Sequence, residues 1–368
     1  MKPSSSPDTR LMKGNEALAE AAIRAGIHAY FGYPITPQSE VLEYLALEMP
    51  KRTKLLNGQN GVLLQAESEL GAINMVYGAA GAGARVMISS SSPGISLMQE
   101  GISYMASAQL PCLVVNVMRG GPGLGTIQPS QGDYFQATKG GGHGDYHLPV
   151  LAPASVQEMV DFVFEGFRLA EKYRTPAMIL ADGALGQMME KVTLPPEHSL
   201  PYPEKPWATT GKPKSRERNI VTSLFIEPER MEEINLQLQH KYRRMQQEVR
   251  YETIETADAE ILLVAFGLSA RISQKALELA RERDIRVGLV RPITLYPFPT
   301  EIIAAMSHRV SSVLTVEMNA GQMVEDVRLA VNGHCPVYFK GRMGGMVPSP
   351  EEVLAEIEAI DAQVEKSV

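Results

Sequence analysis

The sequence predicts an α/β protein built on a doubly wound parallel sheet, followed by a second, smaller α/β domain. Apolar strand-like runs alternate with helical patterns up to about residue 190. The strands are continuously apolar, as in "CLVVNVM" at 112–118, which is typical of parallel strands covered by helices on both faces. The same alternation resumes near residue 255, after a stretch rich in proline and charge.

Composition excludes several classes of protein. The chain has 368 residues, 44% of them hydrophobic, so it can bury a sizeable core. A net charge of -7 argues against a nucleic-acid binder, which normally carries a basic face. No run approaches the roughly 20 apolar residues needed to span a bilayer, and "MKPSSSPDTRLMKG" has no apolar core of a secretory signal. We therefore expect a cytoplasmic protein without a membrane segment.

Residues 1–192 are predicted to form the first domain. Its first helix covers 15–26, with Asn15 as N-cap and Gly26 as the terminating glycine. The spacing of apolar residues predicts the other elements. These are strands at 28–33, 61–65, 85–90, 112–118 and 176–181, and helices at 38–49, 68–83, 95–109 and 155–173.

Residues 193–254 are predicted to connect the two domains. The connector begins with a stretch rich in proline and charge at 193–219, and a charged helix follows from residue 228. This helix has few large apolar positions, so we expect it at the surface or against a partner. The second domain, 255–368, is predicted to repeat the α/β pattern. Its strands are expected at 259–267, 286–292, 311–319 and 336–341, and its helices at 269–284, 300–307 and 322–333.

The two cysteines, Cys112 and Cys335, both lie in apolar surroundings, and no CxxC pair is present. A disulfide framework is not expected, and the chain cannot ligate a zinc ion or an iron–sulfur cluster through its own cysteines. Any electron-transfer cluster would therefore belong to another subunit.

Three polar residues follow strands of the first domain. Thr36 follows the strand ending at Tyr33, Glu69 follows "GVLLQ", and Arg119 ends "CLVVNVM". Ligands of open parallel sheets bind at the carboxyl ends of the strands, so a parallel sheet would place all three residues at one edge.

Each of these residues also has a structural interpretation. Thr36 could cap the helix that follows, although its flanking prolines favour a hydroxyl held in one place. Glu69 could lie at a helix N-terminus to complement the helix dipole, but its apolar neighbours suggest a buried carboxylate that needs a partner. Arg119 enters a glycine-rich loop and suits bidentate carboxylate binding, or it could pair with a structural acid.

The glycine-rich loops at 119–125 and 139–145 suggest a phosphate cradle only weakly, because neither matches a P-loop or a dinucleotide fingerprint. His143, Asp145 and His147 could suggest a metal site, but a flexible loop supplies no rigid ligand geometry, so none is expected. No GxSxG elbow supports a serine hydrolase.

Five stretches resemble the alpha subunit of 2-oxoacid:ferredoxin oxidoreductases. They are "GYPITPQSE" at 32–40, "QAESELGAINMVYGAAGAGARVMISSSSPG" at 65–94, "RGGPGLGTIQPSQGDYFQATKGGGHGDY" at 119–146, "VRPITLYPFP" at 290–299 and "VEMNAGQM" at 316–323. The resemblance covers nearly the whole chain. The stretch "GPGLGTIQPSQGDYFQ" is most similar to the branched-chain, 2-oxoisovalerate subtype.

This resemblance implies a thiamine-diphosphate-binding fold of the pyrimidine-binding type, followed by a transketolase C-terminal-like α/β domain. It implies that Glu69 hydrogen-bonds N1′ of the aminopyrimidine, and that Pro34 and Ile35 also contact the cofactor. It further implies that Thr36 and Arg119 bind the 2-oxoacid.

The resemblance also implies partners and further cofactors. The chain lacks the GDG-type diphosphate and magnesium motif, for "ADGALG" at 181–186 is not one, and it lacks cluster cysteines. A beta subunit would then hold the diphosphate and Mg²⁺, and a ferredoxin-like subunit would hold iron–sulfur clusters. A separate gamma subunit is expected, with coenzyme A as co-substrate and ferredoxin as electron acceptor.

Other functions remain open at this point. A 2-oxoglutarate enzyme would need a second cation, which Lys139, His143 or His147 could provide, and pyruvate is a further possible substrate. A non-catalytic scaffold subunit would need none of Thr36, Glu69 and Arg119. A nucleotide-binding dehydrogenase has only the general α/β pattern in its favour.

Overall fold

The computed structural model of the protein describes residues 8–54 and 60–365. Residues 1–14 were predicted not to form a secretory signal, and residues 1–7 of that segment lie outside the described residues. No helix in the described part of the chain is long and apolar enough to cross a membrane.

Helices and strands alternate along most of the chain. The strands are β1 (Asp8–Lys13), β2 (Ala29–Gly32), β3 (Val62–Gln65), β4 (Val86–Ser90), β5 (Cys112–Met118), β6 (Val150–Leu151), β7 (Pro176–Asp182), β8 (Met189–Leu194), β9 (Tyr251–Ile254), β10 (Ile261–Val264), β11 (Val287–Pro292), β12 (Thr294–Tyr296), β13 (Ser312–Glu317) and β14 (Val337–Gly341). The helices are α1 (Gly14–Arg24), α2 (Ser39–Arg52), α3 (Glu69–Gly81), α4 (Ser92–Ser107), α5 (Tyr134–Thr138), α6 (Val156–Tyr173), α7 (Gly183–Gln187), α8 (Pro228–Met245), α9 (Gly267–Arg281), α10 (Thr300–Ser307), α11 (Met323–Val331) and α12 (Pro350–Glu365).

The first sheet has seven strands in the order β12-β6-β7-β5-β4-β2-β3. All neighbouring pairs are parallel except β12 with β6. The central strands β4, β5 and β7 are buried along their whole length, as their continuous apolar runs predicted. The chain runs from β2 outward to β3 and returns to β4 on the other side of β2, which makes a topological switch point between β2 and β4.

The second sheet has five strands in the order β14-β13-β10-β11-β9, parallel except for β9 at one edge. Ile261, Leu289 and Leu314 are buried in the core between this sheet and its helices. The short strand β12 leaves this part of the chain and pairs with β6, so the second half of the sequence completes the first sheet.

The prediction of Asn15 as an N-cap was wrong. The N-cap of α1 is Lys13, because the backbone N–H of Gly14 already donates to the oxygen of Met188, 3.0 Å away. Asn15 is buried inside the helix, where its Nδ2 atom donates to the backbone oxygen of Pro37 at 2.7 Å. Gly26 does follow the end of the helix with a left-handed φ of 79°.

The charged helix α8 is more amphipathic than the sequence interpretation allowed. Ile234, Leu238 and Tyr242 recur at four-residue spacing and are buried within the protein's own core. Gln239 donates from Nε2 to the backbone oxygen of Asp145 at 2.7 Å. One face of α8 therefore packs on the first part of the chain itself, while the opposite face is exposed, so the helix does lie at the surface as expected.

The proline-rich connector is attached to the first sheet by Arg85. This buried guanidinium forms a bidentate pair with Glu171, with N–O distances of 3.0 and 2.8 Å. It also donates to the backbone oxygen of Pro201 at 2.7 Å and lies over the ring of Tyr202. A charge paired in this way orders the chain around residues 200–202.

Acid is expected to destabilise the protein through His28, which is buried beneath the connector. Burial and the charges of Lys205 and Arg85 lower the pKa of His28 from 6.5 to about 4. In the unfolded chain His28 therefore becomes protonated near pH 6.5, whereas in the folded chain it becomes protonated only near pH 4. Above about pH 6.5 His28 costs no stability. As the pH decreases from there towards pH 4, the free energy of unfolding falls, and at pH 5 it is lower by about 2 kcal/mol than at neutral pH.

Thermal midpoints between pH 7.5 and 5 test this expectation. The variant His28→Gln should lose part of this acid sensitivity. The matched control His143→Gln, at an exposed histidine, should keep the wild-type pH dependence. Equal pH dependence in the wild type and His28→Gln would contradict the assignment.

Candidate active site

The carboxyl edge of the first sheet collects the polar residues predicted from the sequence. Thr36 follows β2, Glu69 follows β3 and Arg119 follows β5, and these strands are parallel to one another through β4. The shared edge was therefore predicted correctly. It coincides with the switch point between β2 and β4, where open α/β sheets bind ligands.

Arg119 and Thr36 are in direct contact. The Nη1 atom of Arg119 donates to the backbone oxygen of Thr36 at 3.0 Å. The next carbonyl, of Pro37, accepts hydrogen bonds from Asn15 at 2.7 Å and from Gln187 at 3.1 Å. The turn after β2 is thus held by three side chains from distant parts of the chain. The sequence analysis named Asn15 in a different role and did not single out Gln187.

The side chain of Thr36 is exposed, and its hydroxyl has no hydrogen-bond partner in 8–54 or 60–365. The N-cap of α2 is Gln38, so Thr36 does not cap the helix. Pro34 is exposed and Ile35 is half-buried beside it. The turn therefore presents a free hydroxyl next to a guanidinium.

Arg119 has no acidic partner among the described residues. Its Nη2 atom donates to the backbone oxygen of Leu124 at 3.0 Å, and its Nε atom is buried without an acceptor. The alternative of an arginine paired with a structural acid is therefore wrong for this part of the chain. The guanidinium keeps its full charge available for an anion.

Asp133 is a site residue that the sequence analysis missed. Its Oδ2 atom accepts hydrogen bonds from the Ser92 hydroxyl at 2.6 Å and from Asn116 Nδ2 at 2.8 Å. The Ser92 hydroxyl in turn accepts from the backbone N–H of Arg119 at 3.1 Å. Burial raises the pKa of Asp133, against the lowering effect of the hydrogen bonds from Ser92 and Asn116. Asp133 therefore fixes the start of the glycine-rich loop.

Glu69 is the first residue of α3 and is only 6% exposed. The helix is capped by Ser68, whose Oγ atom accepts from the N–H of Gly71 at 3.2 Å, so Glu69 is not the cap. Its carboxyl group lies against Gly94 and has no hydrogen-bond partner among the residues that the structure describes. The nearby Ser90 hydroxyl is also buried without a partner. Both groups are suited to a ligand that enters at this edge.

Adding a methyl group at Gly94 is expected to displace Glu69. A Cβ atom there would lie 2.0 Å from Ser90 Oγ and 2.6 Å from Glu69 Oε1, both closer than real contacts allow. We expect Gly94→Ala to cost about 1–3 kcal/mol of stability and to lower turnover by roughly tenfold. Gly78→Ala is the matched control, since a Cβ atom at Gly78 meets nothing within 4 Å. Equal thermal midpoints and turnover in both variants would contradict this geometry.

A cavity of about 480 Å³ opens at this edge, between the two halves of the chain. The first half contributes Ser92, Arg119 and Asp133 to its wall. The second half contributes Asn319 and Met343. A ligand of metabolite size fits such a space.

Gln131 joins the two halves beside the cavity. Its Oε1 atom accepts from the Ser269 hydroxyl at 2.7 Å and from the N–H of Met318 at 3.0 Å. Its Nε2 atom donates to the oxygen of Phe266 at 2.8 Å, and its own backbone oxygen accepts from Asn319. One buried side-chain amide with three hydrogen bonds to the second half thus fixes how the two halves enclose the cavity.

The three cations considered for a second carboxylate do not line this cavity. Lys139 is paired with Asp326, and His143 is exposed against Tyr104. His147 is stacked on Tyr296 with ring centroids 4.3 Å apart, and burial lowers its pKa. Within the described ranges, no cluster of three or more His, Cys, Asp or Glu could hold a metal ion.

Two family models cover most of the chain. Residues 20–258 match the model described as "Pyruvate flavodoxin/ferredoxin oxidoreductase, thiamine diP-bdg", and residues 259–353 match "Pyruvate:ferredoxin oxidoreductase core domain II". The chain belongs to the 2-oxoacid:ferredoxin oxidoreductase family. As a member of this family it is a subunit of a multi-subunit enzyme. The family model that matches residues 20–258 describes a thiamine-diphosphate-binding domain.

Relatives within the 2-oxoacid:ferredoxin oxidoreductases match over nearly the full length. The ketoisovalerate oxidoreductase subunit VorB of Methanothermobacter thermautotrophicus is 49% identical over 353 residues, which cover 96% of this chain and 98% of that protein. The 2-oxoglutarate synthase subunit KorA of the same organism is 37% identical over 375 residues, covering 93% of this chain and 96% of KorA.

Solved structures confirm the predicted fold class of this family member. The 2-oxoglutarate:ferredoxin oxidoreductase from Magnetococcus marinus, with 2-oxoglutarate, coenzyme A and succinyl-CoA bound, matches with a TM-score of 0.81 and 25% identity. The match covers 98% of this chain and 66% of that longer chain. A split-gene transketolase, described as an inactive beta4 tetramer, matches in fold alone, with a TM-score of 0.56 and 13% identity over 95% of this chain and 97% of that chain.

Proposed function

We propose that this chain is the alpha subunit of a coenzyme-A-acylating, thiamine-diphosphate-dependent oxidoreductase that acts on 2-oxoisovalerate. The reaction would yield an acyl-CoA and CO₂, with electrons passed to ferredoxin. The observation that carries the proposal concerns two groups at the same sheet edge. Among the described residues, the buried carboxyl group of Glu69 has no hydrogen-bond partner and the guanidinium of Arg119 has no acidic partner. A scaffold subunit would need neither a buried carboxyl group without a hydrogen bond nor a guanidinium without an acid, because unpaired buried charges cost stability.

The residues at this edge fit thiamine diphosphate. When bound, this cofactor supplies the electron sink for decarboxylation of a 2-oxoacid. Glu69 can hold or give a proton at a ring nitrogen, because its carboxyl group makes no competing hydrogen bond within the described residues. Pro34 and Ile35, in the turn after β2, would contact the cofactor ring. The diphosphate and Mg²⁺ are proposed to lie on a partner subunit.

Arg119 and Thr36 are proposed to bind the substrate. The guanidinium would hold the carboxylate of the 2-oxoacid, and the free Thr36 hydroxyl would donate to its carboxylate or carbonyl oxygen. The hydrogen bond between Arg119 and the Thr36 backbone keeps these two donors together. The Ser92–Asp133 pair positions Arg119 through its backbone N–H.

The charge in the cavity favours a 2-oxoacid with one carboxylate. Among the described residues that line the cavity, Arg119 is the single cation, and Met343 adds an apolar surface. A second carboxylate, as in 2-oxoglutarate, would face no further cation among these described lining residues. The relative named as a ketoisovalerate oxidoreductase subunit is also more similar to this chain than the 2-oxoglutarate synthase subunit is, at 49% against 37% identity.

The proposal includes partner subunits and further cofactors. A beta subunit would complete the thiamine diphosphate site, a ferredoxin-like subunit would carry iron–sulfur clusters, and a gamma subunit would complete the complex. Coenzyme A would accept the acyl group and ferredoxin the electrons. The division into domains at 1–192, 193–254 and 255–368 and a cytoplasmic location stay part of this proposal.

An assay of the native complex, purified without oxygen through a tag on this chain, tests the substrate. Coenzyme-A-dependent viologen reduction is measured with 2-oxoisovalerate, 2-oxoglutarate and pyruvate, with thiamine diphosphate present. We expect kcat/KM for 2-oxoisovalerate to exceed that for 2-oxoglutarate by at least about tenfold, since a second carboxylate without a cation costs more than about 1.4 kcal/mol. We expect a similar lead over pyruvate, because the isopropyl group buries two more carbon groups than a methyl group does, each worth about 0.8 kcal/mol. A preference for 2-oxoglutarate would overturn the substrate, and no reduction with any of the three would overturn the reaction.

A further inference from the structure

Two cations on the far side of the first sheet form no ion pair with an acid in the part of the chain that the structure describes. Arg174 follows α6 and precedes β7, so it lies at the amino edge of the sheet, opposite the candidate active site. Its guanidinium lies over the ring of Trp207, 4.5 Å from the centroid, and its Nε atom is buried without an acceptor. Lys241 of α8 lies beside it and donates to the backbone oxygen of Arg174 at 3.1 Å.

The surroundings of these cations are unfavourable for charge. Burial lowers the pKa of Arg174, and burial together with the charge of Arg174 lowers the pKa of Lys241 to about 7. Neither side chain forms an ion pair with an acid of the described chain. Both side chains are half-buried, and cations withdrawn from water are normally paired, so a carboxylate brought from outside would reduce this cost.

An apolar segment without regular structure runs beside the cations. Residues 219–227 form neither helix nor strand, and Val221 and Phe225 point into a cavity of about 410 Å³ that Arg174 also lines. Ile220, Leu224 and Ile226 are 70%, 73% and 80% exposed. Large apolar side chains exposed close together mark an interaction surface.

We propose that Arg174, Lys241 and residues 219–227 form a docking surface for a partner subunit. The occupant is a segment that carries an aspartate or glutamate among apolar side chains. Charge complementarity supports this choice, because no described residue that lines the cavity is acidic, although the chain as a whole carries a net charge of -7. The inference rests on the assembly with partner subunits proposed above.

Hydrogen exchange of the native complex tests the surface. The backbone N–H groups of residues 219–227 are expected to exchange at least tenfold more slowly in the complex than in the isolated full chain, since the free segment has no helix or strand pairing. Equal exchange rates in both samples would overturn the proposal.

Variants of the complex identify the contacts. Arg174→Gln and Leu224→Ser should each raise the dissociation constant of the complex by about tenfold in mass photometry. Leu329→Ser is the matched control, because Leu329 is 75% exposed on α11, and it should leave assembly unchanged. Unchanged assembly in Arg174→Gln and Leu224→Ser would contradict the surface.

Carbodiimide cross-linking of an Arg174→Lys complex identifies the occupant, since this reagent joins only an amine and a carboxylate in contact. We expect a link from position 174 or Lys241 to an aspartate or glutamate of a different subunit. A link to a second copy of this chain, or none between subunits, would overturn the assignment. If the complex reduced viologen with a 2-oxoacid but residues 219–227 exchanged as fast as in the isolated chain, the docking surface alone would be refuted. If the complex protected residues 219–227 from exchange but reduced no viologen, the proposed function alone would be refuted.

Discussion

Replacing Glu69 by glutamine is expected to lower the turnover of the complex by at least about 100-fold, the scale of general acid–base catalysis. Glutamine keeps the size of the side chain but cannot hold or transfer a proton at a cofactor nitrogen. Because Glu69 makes no hydrogen bond or ion pair within the described residues, the change breaks no structural contact there. The measurement is kcat for viologen reduction at saturating 2-oxoacid, together with the thermal midpoint and the assembly state.

Glu67→Gln is the control for this prediction. Glu67 is exposed two residues earlier in the chain, so its replacement removes the same charge from the same loop without touching the buried edge. Full activity of Glu67→Gln beside an inactive Glu69→Gln assigns the effect to the buried carboxyl group. Full activity of both variants in an intact complex would favour the scaffold alternative.

The local sequence pattern predicted the first sheet well. The strand expected at 112–118 is β5 with the same bounds, because a fully buried strand is apolar at nearly every position, here at all but Asn116. The strand β12 was missed as a separate element, since its partner β6 lies about 140 residues earlier and no local pattern marks their pairing. The antiparallel pair of β1 and β8 was missed for the same reason, since Asp8 pairs with Leu194 and Lys13 with Met189, far away in the sequence.

The candidate site was predicted in part. Thr36, Glu69 and Arg119 could be placed at one edge because parallel topology alone brings the ends of strands together. Asp133, which fixes the Arg119 loop, could not be found, because its contacts are with Ser92 at the start of α4 and Asn116 in β5, which no local pattern links to it. The absence of an acidic partner for Arg119 among the described residues could not be predicted either, because such a partner could come from any distant part of the sequence.

Replacing Arg119 by methionine is expected to lower kcat/KM for the 2-oxoacid by roughly 30- to 1000-fold. Removing one member of a desolvated, hydrogen-bonded charge pair costs about 2–4 kcal/mol, and each 1.36 kcal/mol is a factor of ten. The substrate carboxylate would lose the single cation that lines the cavity among the described residues. Most of the loss should appear as a raised KM, because the carboxylate is held in the ground state as well as in the transition state.

Two further variants separate substrate binding from loop structure. Arg119→Lys keeps the charge but loses the planar fork, so it should recover only part of the lost kcat/KM. Asp133→Asn keeps a side-chain oxygen for Ser92 but weakens the hold on the Arg119 backbone, so it should change kcat/KM less than Arg119→Met does. If Arg119→Met instead lowered the thermal midpoint and left KM unchanged, the guanidinium would serve only to hold Thr36 and Leu124 in place.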